Sequence, residues 1–169
     1  MELRQADEQI LVYGKEWLED KQLRKALGVG PGAANLLIAK ERLENLILNT
    51  PPDTSSLGVW AENLPVGYII FTDINSYHKT ADIHFVIDPQ YIGKGLGRAV
   101  LRMGTEHGFK EGLFRLEFKP LKSNKGAVNL APKVGYTREG YMKDSLWTGS
   151  APVTQVLFRI LRNEWEVSN

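Results

Sequence analysis

The hexapeptide Gly93-Lys94-Gly95-Leu96-Gly97-Arg98 stands between a run of alternating apolar residues ending at Ile87 and an amphipathic run opening at Leu96. A strand that passes through a glycine loop into a helix restricts the fold more than any other segment of this chain. Glycine lets the backbone take positive φ and lets a ligand approach without meeting a side chain. At a helix start it leaves unpaired N–H groups and the positive end of the dipole facing outward, which suits an anion such as pyrophosphate. A P-loop closes on Gly-Lys-Ser/Thr, whereas Gly95 follows Lys94 here, so that motif fails. A dinucleotide fingerprint asks for glycine at its last place, which Arg98 occupies. A glycine turn that binds nothing is the remaining alternative.

Periodicity supplies the frame around this loop. Glu2–Arg4 is a short strand, and Asp7 caps a helix expected from about Glu8 to Leu27 that turns Ile10, Leu11, Trp17 and Leu18 inward. Gly28 ends it and Pro31 opens a second, Ala33–Leu48, with Leu36, Leu37, Leu43 and Ile47 on one face. The period then shortens. Strands are expected at Ser56–Ala61, Val66–Ile74 and Asp82–Ile87, followed by a helix at Leu96–Phe109 and a strand at Leu113–Lys119. A short helix at Lys125–Val134 tolerates Pro132 near its end, and Tyr136–Lys143 and Thr154–Leu161 close the chain as strands. Hairpins first and crossovers later imply an α/β (α+β) fold: a mixed, mostly antiparallel sheet of six to seven strands with helices on both faces, one domain over 1–169.

Composition removes several classes of function. A net charge of +1 gives no basic excess for nucleic acid, and the absence of cysteine rules out disulfides, thiolate metal sites and a thioester acyl-enzyme. His78, His84 and His107 lack metal-ligand spacing, so no metal is expected. The polar start is no signal peptide and no apolar run approaches a membrane span, consistent with a soluble, cytoplasmic protein.

The run Ile87-Asp88-Pro89-Gln90-Tyr91-Ile92-Gly93-Lys94-Gly95-Leu96-Gly97-Arg98 resembles the acetyl-CoA-binding motif of the GCN5-related N-acetyltransferases (GNAT). Asn124 to Leu130 and Lys133-Val134-Gly135-Tyr136-Thr137-Arg138-Glu139-Gly140 resemble that family's second signature. Glu139-Gly140 and Ile160 to Trp165 look like the subgroup that modifies ribosomal-protein N-termini. The resemblance implies an acetyl-CoA-dependent N-acetyltransferase of GNAT fold, monomeric or homodimeric, that acetylates a protein N-terminus or a small amine in a ternary complex. A CoA-binding regulatory module without turnover is the alternative. It also implies that the amides of Gly93, Lys94, Gly95, Leu96, Gly97 and Arg98 hold pyrophosphate. Phe85 and Ile87 offer main-chain groups to the acyl-pantetheine arm, with the Phe85 N–H polarising the thioester carbonyl, and Asn124 bonds that arm.

Two positions depart from the family pattern. Ile92 stands where glutamine or arginine is usual, which removes a side-chain contact and keeps the amide cradle. Ala131 stands where many relatives carry the tyrosine that protonates the departing thiolate; a thiol of pKa ~8.5 still leaves tolerably near neutral pH. Tyr141 is a possible substitute that nothing in the sequence places at the site. Amine attack needs a neutral amine, and the candidate bases are His84, Asp82 on the same strand face, and Glu117. Lys119 lies where some relatives carry a catalytic carboxylate, and with Lys122 and Lys125 it makes a basic cluster beside Asn124.

Overall fold

Two aspartates set the N-terminal helices. The carboxylate of Asp7 accepts from the Ile10 amide at 3.1 Å and opens α1 (Glu8–Trp17). Asp20 accepts from the Leu23 amide at 2.7 Å and opens α2 (Lys21–Ala26). The single helix expected up to Leu27 is therefore two helices. The break escapes periodicity because Trp17, Leu18 and Leu23 are all buried across it. The structure, a computed structural model, describes residues 1–168. Its elements continue with β1 (Glu2–Gln5) preceding α1, then α3 (Ala33–Ile47), β2 (Ser55–Ala61), β3 (Leu64–Asn75) and β4 (Thr80–Ile87). A 3-10 turn at Pro89–Tyr91 leads to α4 (Leu96–Lys110), β5 (Arg115–Phe118), α5 (Lys125–Val134), β6 (Thr137–Trp147), β7 (Pro152–Leu161) and α6 (Arg162–Ser168).

The seven strands form one sheet in the order β1-β2-β3-β4-β5-β7-β6. Every neighbouring pair is antiparallel except β4–β5, which is parallel because α4 carries the chain across between them. Alternation along the strands divides the core between two faces. Tyr68, Ile70 and Val86 pack under Ile10 and Trp17 of α1 and Leu43 and Ile47 of α3. Ile69, Phe71, Ile83 and Leu116 pack under Val100 and Leu101 of α4 and Ala131 and Val134 of α5. The mostly antiparallel mixed sheet with helices on both faces is thus the expected architecture, with seven strands.

Close packing fixes α4 on its face. A Cβ at Gly104 would stand 2.8 Å from Ile83 Cδ1, so only glycine lets the helix approach this near. At the next residue, the buried Thr105 hydroxyl donates to the Leu101 carbonyl at 2.8 Å and meets the Tyr136 hydroxyl at 2.8 Å, tying α4 to the start of β6. Gly135, at φ 108°, ends α5, and the Tyr136 amide returns to the Ala131 carbonyl at 3.0 Å, which keeps the last turn despite Pro132.

Several boundaries differ from expectation. β6 runs on to Trp147 through a bulge, with Asp144 at φ 50°, where charged and polar residues hide the strand period. The helix α6 was missing from the sequence reading, its apolar content reduced to the buried Trp165 and the exposed Val167. Leu37, expected inward, is 59% exposed, since α3 turns Leu43 and Ile47 to the sheet instead. Among the described residues no helix is long and apolar enough to cross a membrane.

Leu101 has no exposed surface and lies at the centre of the α4 face. Leu101→Ala is expected to cost about 2–5 kcal/mol. Differential scanning calorimetry should show a thermal midpoint several degrees lower at unchanged secondary structure.

Candidate active site

The parallel ladder between β4 and β5 has three residue pairs and ends at Asp82–Glu117. Beyond that point β4 continues to Ile87 along β3 alone, while the chain after β5 turns toward β7, where Val156 donates to the Pro120 carbonyl at 2.9 Å. The sheet therefore opens into a fork. The Asp88 amide donates to the Val66 carbonyl at 2.9 Å, so the residues that exchange hydrogen bonds with β3 are those in step with Asp88, namely Val86 and His84. By alternation the backbone groups of Phe85 and Ile87 point to the β5 side. No described strand pairs with them there. Two main-chain sites, at Phe85 and Ile87, thus face the fork.

The glycine loop lies at the mouth of this fork. Gly93 and Gly95 hold φ of 79° and 86°, and a Cβ at either would meet nothing within 4 Å, so the backbone there is both left-handed and open. Gly95 is the N-cap of α4 and provides no side-chain cap. The Arg98 amide folds back onto the Gly95 carbonyl at 3.2 Å, leaving the earlier amides of this helix end without an acceptor of their own. Gly97 faces inward, where a Cβ would touch Leu130, Phe85 and Ile87 at 3.6 to 3.8 Å, so α4, α5 and β4 converge at that point. Lys94 and Arg98 are exposed beside the loop, with the Lys94 ammonium 5.7 Å from the Tyr91 ring centroid. An uncapped helix start with open left-handed glycines fits an anionic group such as a pyrophosphate. Asn124 caps α5 by accepting from the Ala127 amide at 3.1 Å, which leaves its side-chain NH2 to donate elsewhere.

On the opposite face of β4 stands His84. Its Nε2 is 3.0 Å from the Thr72 hydroxyl, and the residue is exposed at one edge while other atoms crowd the rest of the ring. The crowding that strips water from the ring, reinforced by the charges of Arg42 and Lys119, holds its pKa below the usual imidazole value against the opposing pull of Asp82 and Asp73. His84 is thus neutral near pH 7 and able to accept a proton.

The other two candidate bases are placed quite differently. Asp82 receives the Lys119 ammonium on both oxygens, at 2.8 and 2.6 Å. Glu117 is bound by the same ammonium at 3.0 Å and by Arg115 at 2.8 and 2.9 Å. Burial pushes the Glu117 carboxyl up, but the bonds and charges of Arg115 and Lys119 outweigh it and hold the group below the usual carboxylate value. A carboxylate so neutralised is a weak proton acceptor. The alternation of charge continues from Arg115 to Glu139 at 2.6 Å, from Glu139 to Arg159 at 3.2 Å, and from Arg159 to Glu164 on α6. The sequence reading missed this chain entirely, and Lys119 belongs to it rather than to a basic cluster with Lys122, whose ammonium lies over the Tyr141 ring at 5.2 Å.

Ala131 is fully buried in the α4–α5 core. Tyr141 accepts from Arg138 at 2.9 Å on β6, two strands away from the fork, so it does not line the fork in place of the usual tyrosine. A Cβ at Gly30 would fall 1.8 Å from the Thr148 carbonyl oxygen, and one at Gly149 would fall 2.8 Å from Asn35 Oδ1. The α2–α3 loop thus meets the β6–β7 turn directly. Among the described residues no cluster of side chains could hold a metal ion.

A model of the acetyltransferase (GNAT) family matches residues 16–136. Spermidine N(1)-acetyltransferase of Escherichia coli is 31% identical over 75 residues, covering 44% of this chain and 40% of that protein. The chain thus matches less than two thirds of the length of such curated relatives, 40% and 61%. The crystal structure of spermidine N-acetyltransferase from Vibrio cholerae in complex with CoA and spermine superposes with a TM-score of 0.81 at 17% identity, covering 98% of this chain and 97% of that one. Ribosomal-protein-S5-alanine acetyltransferase from Vibrio fischeri superposes at 0.76 with 19% identity, over 96% and 93% of the two chains. At these identities the likeness establishes the fold.

Because the Glu117 pKa is depressed in the folded protein, its stabilising contribution is complete above the ordinary carboxylate value and is lost as the pH falls through the lower folded value. Glu117→Gln should therefore destabilise the protein at pH 7 and flatten the loss of stability on acidification below about pH 4.3. Urea denaturation across that range measures it.

Proposed function

The chain belongs to the GNAT acetyltransferase family, and from that premise we propose that it moves an acetyl group from acetyl-CoA to a primary amine, a protein N-terminus or a small amine, within a ternary complex. The observation that carries the reading is the fork itself: unpaired backbone of Phe85 and Ile87 beside an open, uncapped glycine loop. Acetyl-CoA supplies the thioester. The open amides of Gly93, Gly95, Leu96 and Gly97 hold its pyrophosphate, while Lys94 and Arg98, whose own amides bond the Tyr91 and Gly95 carbonyls, add side-chain charge, and the Asn124 side-chain NH2 donates to the pantetheine arm. Phe85 presents its N–H to the carbonyl oxygen and so stabilises the charge that grows there. The acceptor enters from the other face of β4, where His84, its pKa held below the usual imidazole value, removes the proton from the attacking amine. Asp82 and Glu117 lie near that path as charge partners of Lys119. The reading extends to a single cytoplasmic domain acting as monomer or homodimer, with no metal and no nucleic-acid partner.

The buried Ala131, at the place of the usual tyrosine, favours one second reading, a CoA-binding module without turnover. Departure as thiolate (pKa ~8.5) makes the missing acid a handicap rather than a bar.

The thermal midpoint should rise with excess acetyl-CoA, by about 2.7 kcal/mol of added stability at a hundredfold excess over Kd. A folded Gly95→Val, Gly97→Val variant should show no such rise. If wild type fails to respond, the cofactor assignment is wrong. A wild type that binds yet acetylates neither peptide N-termini nor small amines would leave the module reading. His84→Gln should keep the acetyl-CoA response and lose about 10²-fold in kcat. In wild type kcat should climb with pH through the lowered His84 value, below about 6.5, and then level off.

A further inference from the structure

The surroundings of Lys119 assign it a task. Asp82 is the last β4 residue paired with β5, opposite Glu117. Had the ladder continued, His84 and Lys119 would have been the next pair on that face of the sheet, since side chains two residues apart share a face. The strands separate instead. Lys119 then reaches back across the opening and binds both oxygens of Asp82 at 2.8 and 2.6 Å, with Glu117 at 3.0 Å as a third partner. Its own main chain is anchored from the far side, where the Gln155 side-chain NH2 donates to the Lys119 carbonyl at 2.7 Å. The ion pair is well covered, with 20% of the Lys119 side chain and 15% of the Asp82 side chain exposed. Glu117 is in turn fixed by Arg115, so neither carboxylate is free to turn elsewhere.

Asp82 and His84 lie on the same face of one strand, close enough for a carboxylate to meet an imidazole if nothing else claimed it. We propose that Lys119 is a positioning residue, which bridges the open end of the β4–β5 ladder, holds the Asp82 carboxylate away from His84, and so keeps that imidazole uncharged and bonded to Thr72 while an amine is deprotonated. The proposal rests on the reading of His84 as base. The charged groups facing His84 are Asp82 on its own strand, Asp73 on β3, Arg42 on α3 and Lys119 beyond β5. Removing the Lys119 ammonium withdraws a nearby positive charge and also releases a negative one, and both changes favour imidazolium. Removing the Asp82 charge while Lys119 stays acts in the opposite direction.

The test is the titration of the His84 ring by NMR, one of three histidines in the chain, identified by the resonance missing from His84→Gln. Lys119→Met should raise the His84 midpoint by about one pH unit and Asp82→Asn should lower it, while Lys119→Arg should hold it at the wild-type position. The rising limb of kcat against pH should move with the ring in each variant. A Lys119 that merely braces the fold would lower the thermal midpoint and leave the ring titration where it was. Unchanged midpoints in both Lys119→Met and Asp82→Asn overturn the proposal. The ring titration needs no turnover, so an inactive wild type would refute the proposed activity while this measurement still decides the role of Lys119.

Discussion

The parallel pairing of β4 with β5 over only three residue pairs is the constraint on which the remainder of the site depends. Strands that run parallel cannot be joined by a tight turn, so the chain must cross the face of the sheet, and α4 does so. The start of that crossover is where glycine is needed: Gly93 and Gly95 take positive φ as the chain leaves β4, and the helix begins uncapped. The termination of the ladder at Asp82–Glu117 exposes the backbone of Phe85 and Ile87 a few residues before the same loop. One topological feature thus yields both the amide cradle and the unpaired strand edge, and the two adjoin because they belong to one β-loop-α connection.

A sheet that forks must be held at a fixed opening, since unpaired backbone groups would otherwise seek partners. Interactions on both faces hold this one. On the α4–α5 side Phe85 and Phe118 stack with ring centroids 5.6 Å apart, filling the space where the strands diverge. On the other side the alternation Asp82, Lys119, Glu117, Arg115, Glu139, Arg159, Glu164 passes from β4 to α6. Partly buried charges are tolerable only when each is paired. The consequence for chemistry is subtractive. Carboxylates that serve the fork are withdrawn from acid–base work, and His84, bonded to a neutral hydroxyl, is the candidate base left with a free proton site.

Much of the fold was legible because it rests on local patterns. The alternation of Ile83, Phe85 and Ile87 against Asp82 and His84 identifies β4 and its faces. The turn glycines and the cap at Asp7, which accepts from the amide three residues on, are local in the same way, whereas the cap at Asn124 was not read. The illegible parts have equally definite causes. Asp20 was overlooked as a cap because the apolar residues on either side of it serve one core. The end of β6 was concealed by a bulge, and α6 by a sequence whose buried surface comes from a single tryptophan. Leu37 was assigned inward by spacing alone, whereas the arc of α3 that meets the sheet is set by Leu43, Ile47 and the facing residues of α1.

By itself the sequence determined most of the element types, the glycine loop and the residues of β4 that could offer main-chain groups, because helix periodicity, strand alternation and positive φ are decided by neighbours a few bonds away. The tertiary structure alone decided where the β4–β5 ladder stops and which charges meet. Lys119 and Asp82 are 37 residues apart along the chain, and Arg115 and Glu139 are 24 apart. Ionic partners at such separations are chosen by strand order and register. Sequence could name Asp82, His84 and Glu117 as candidates for one role, and only the packed sheet could give two of them to lysine and arginine and leave the third free.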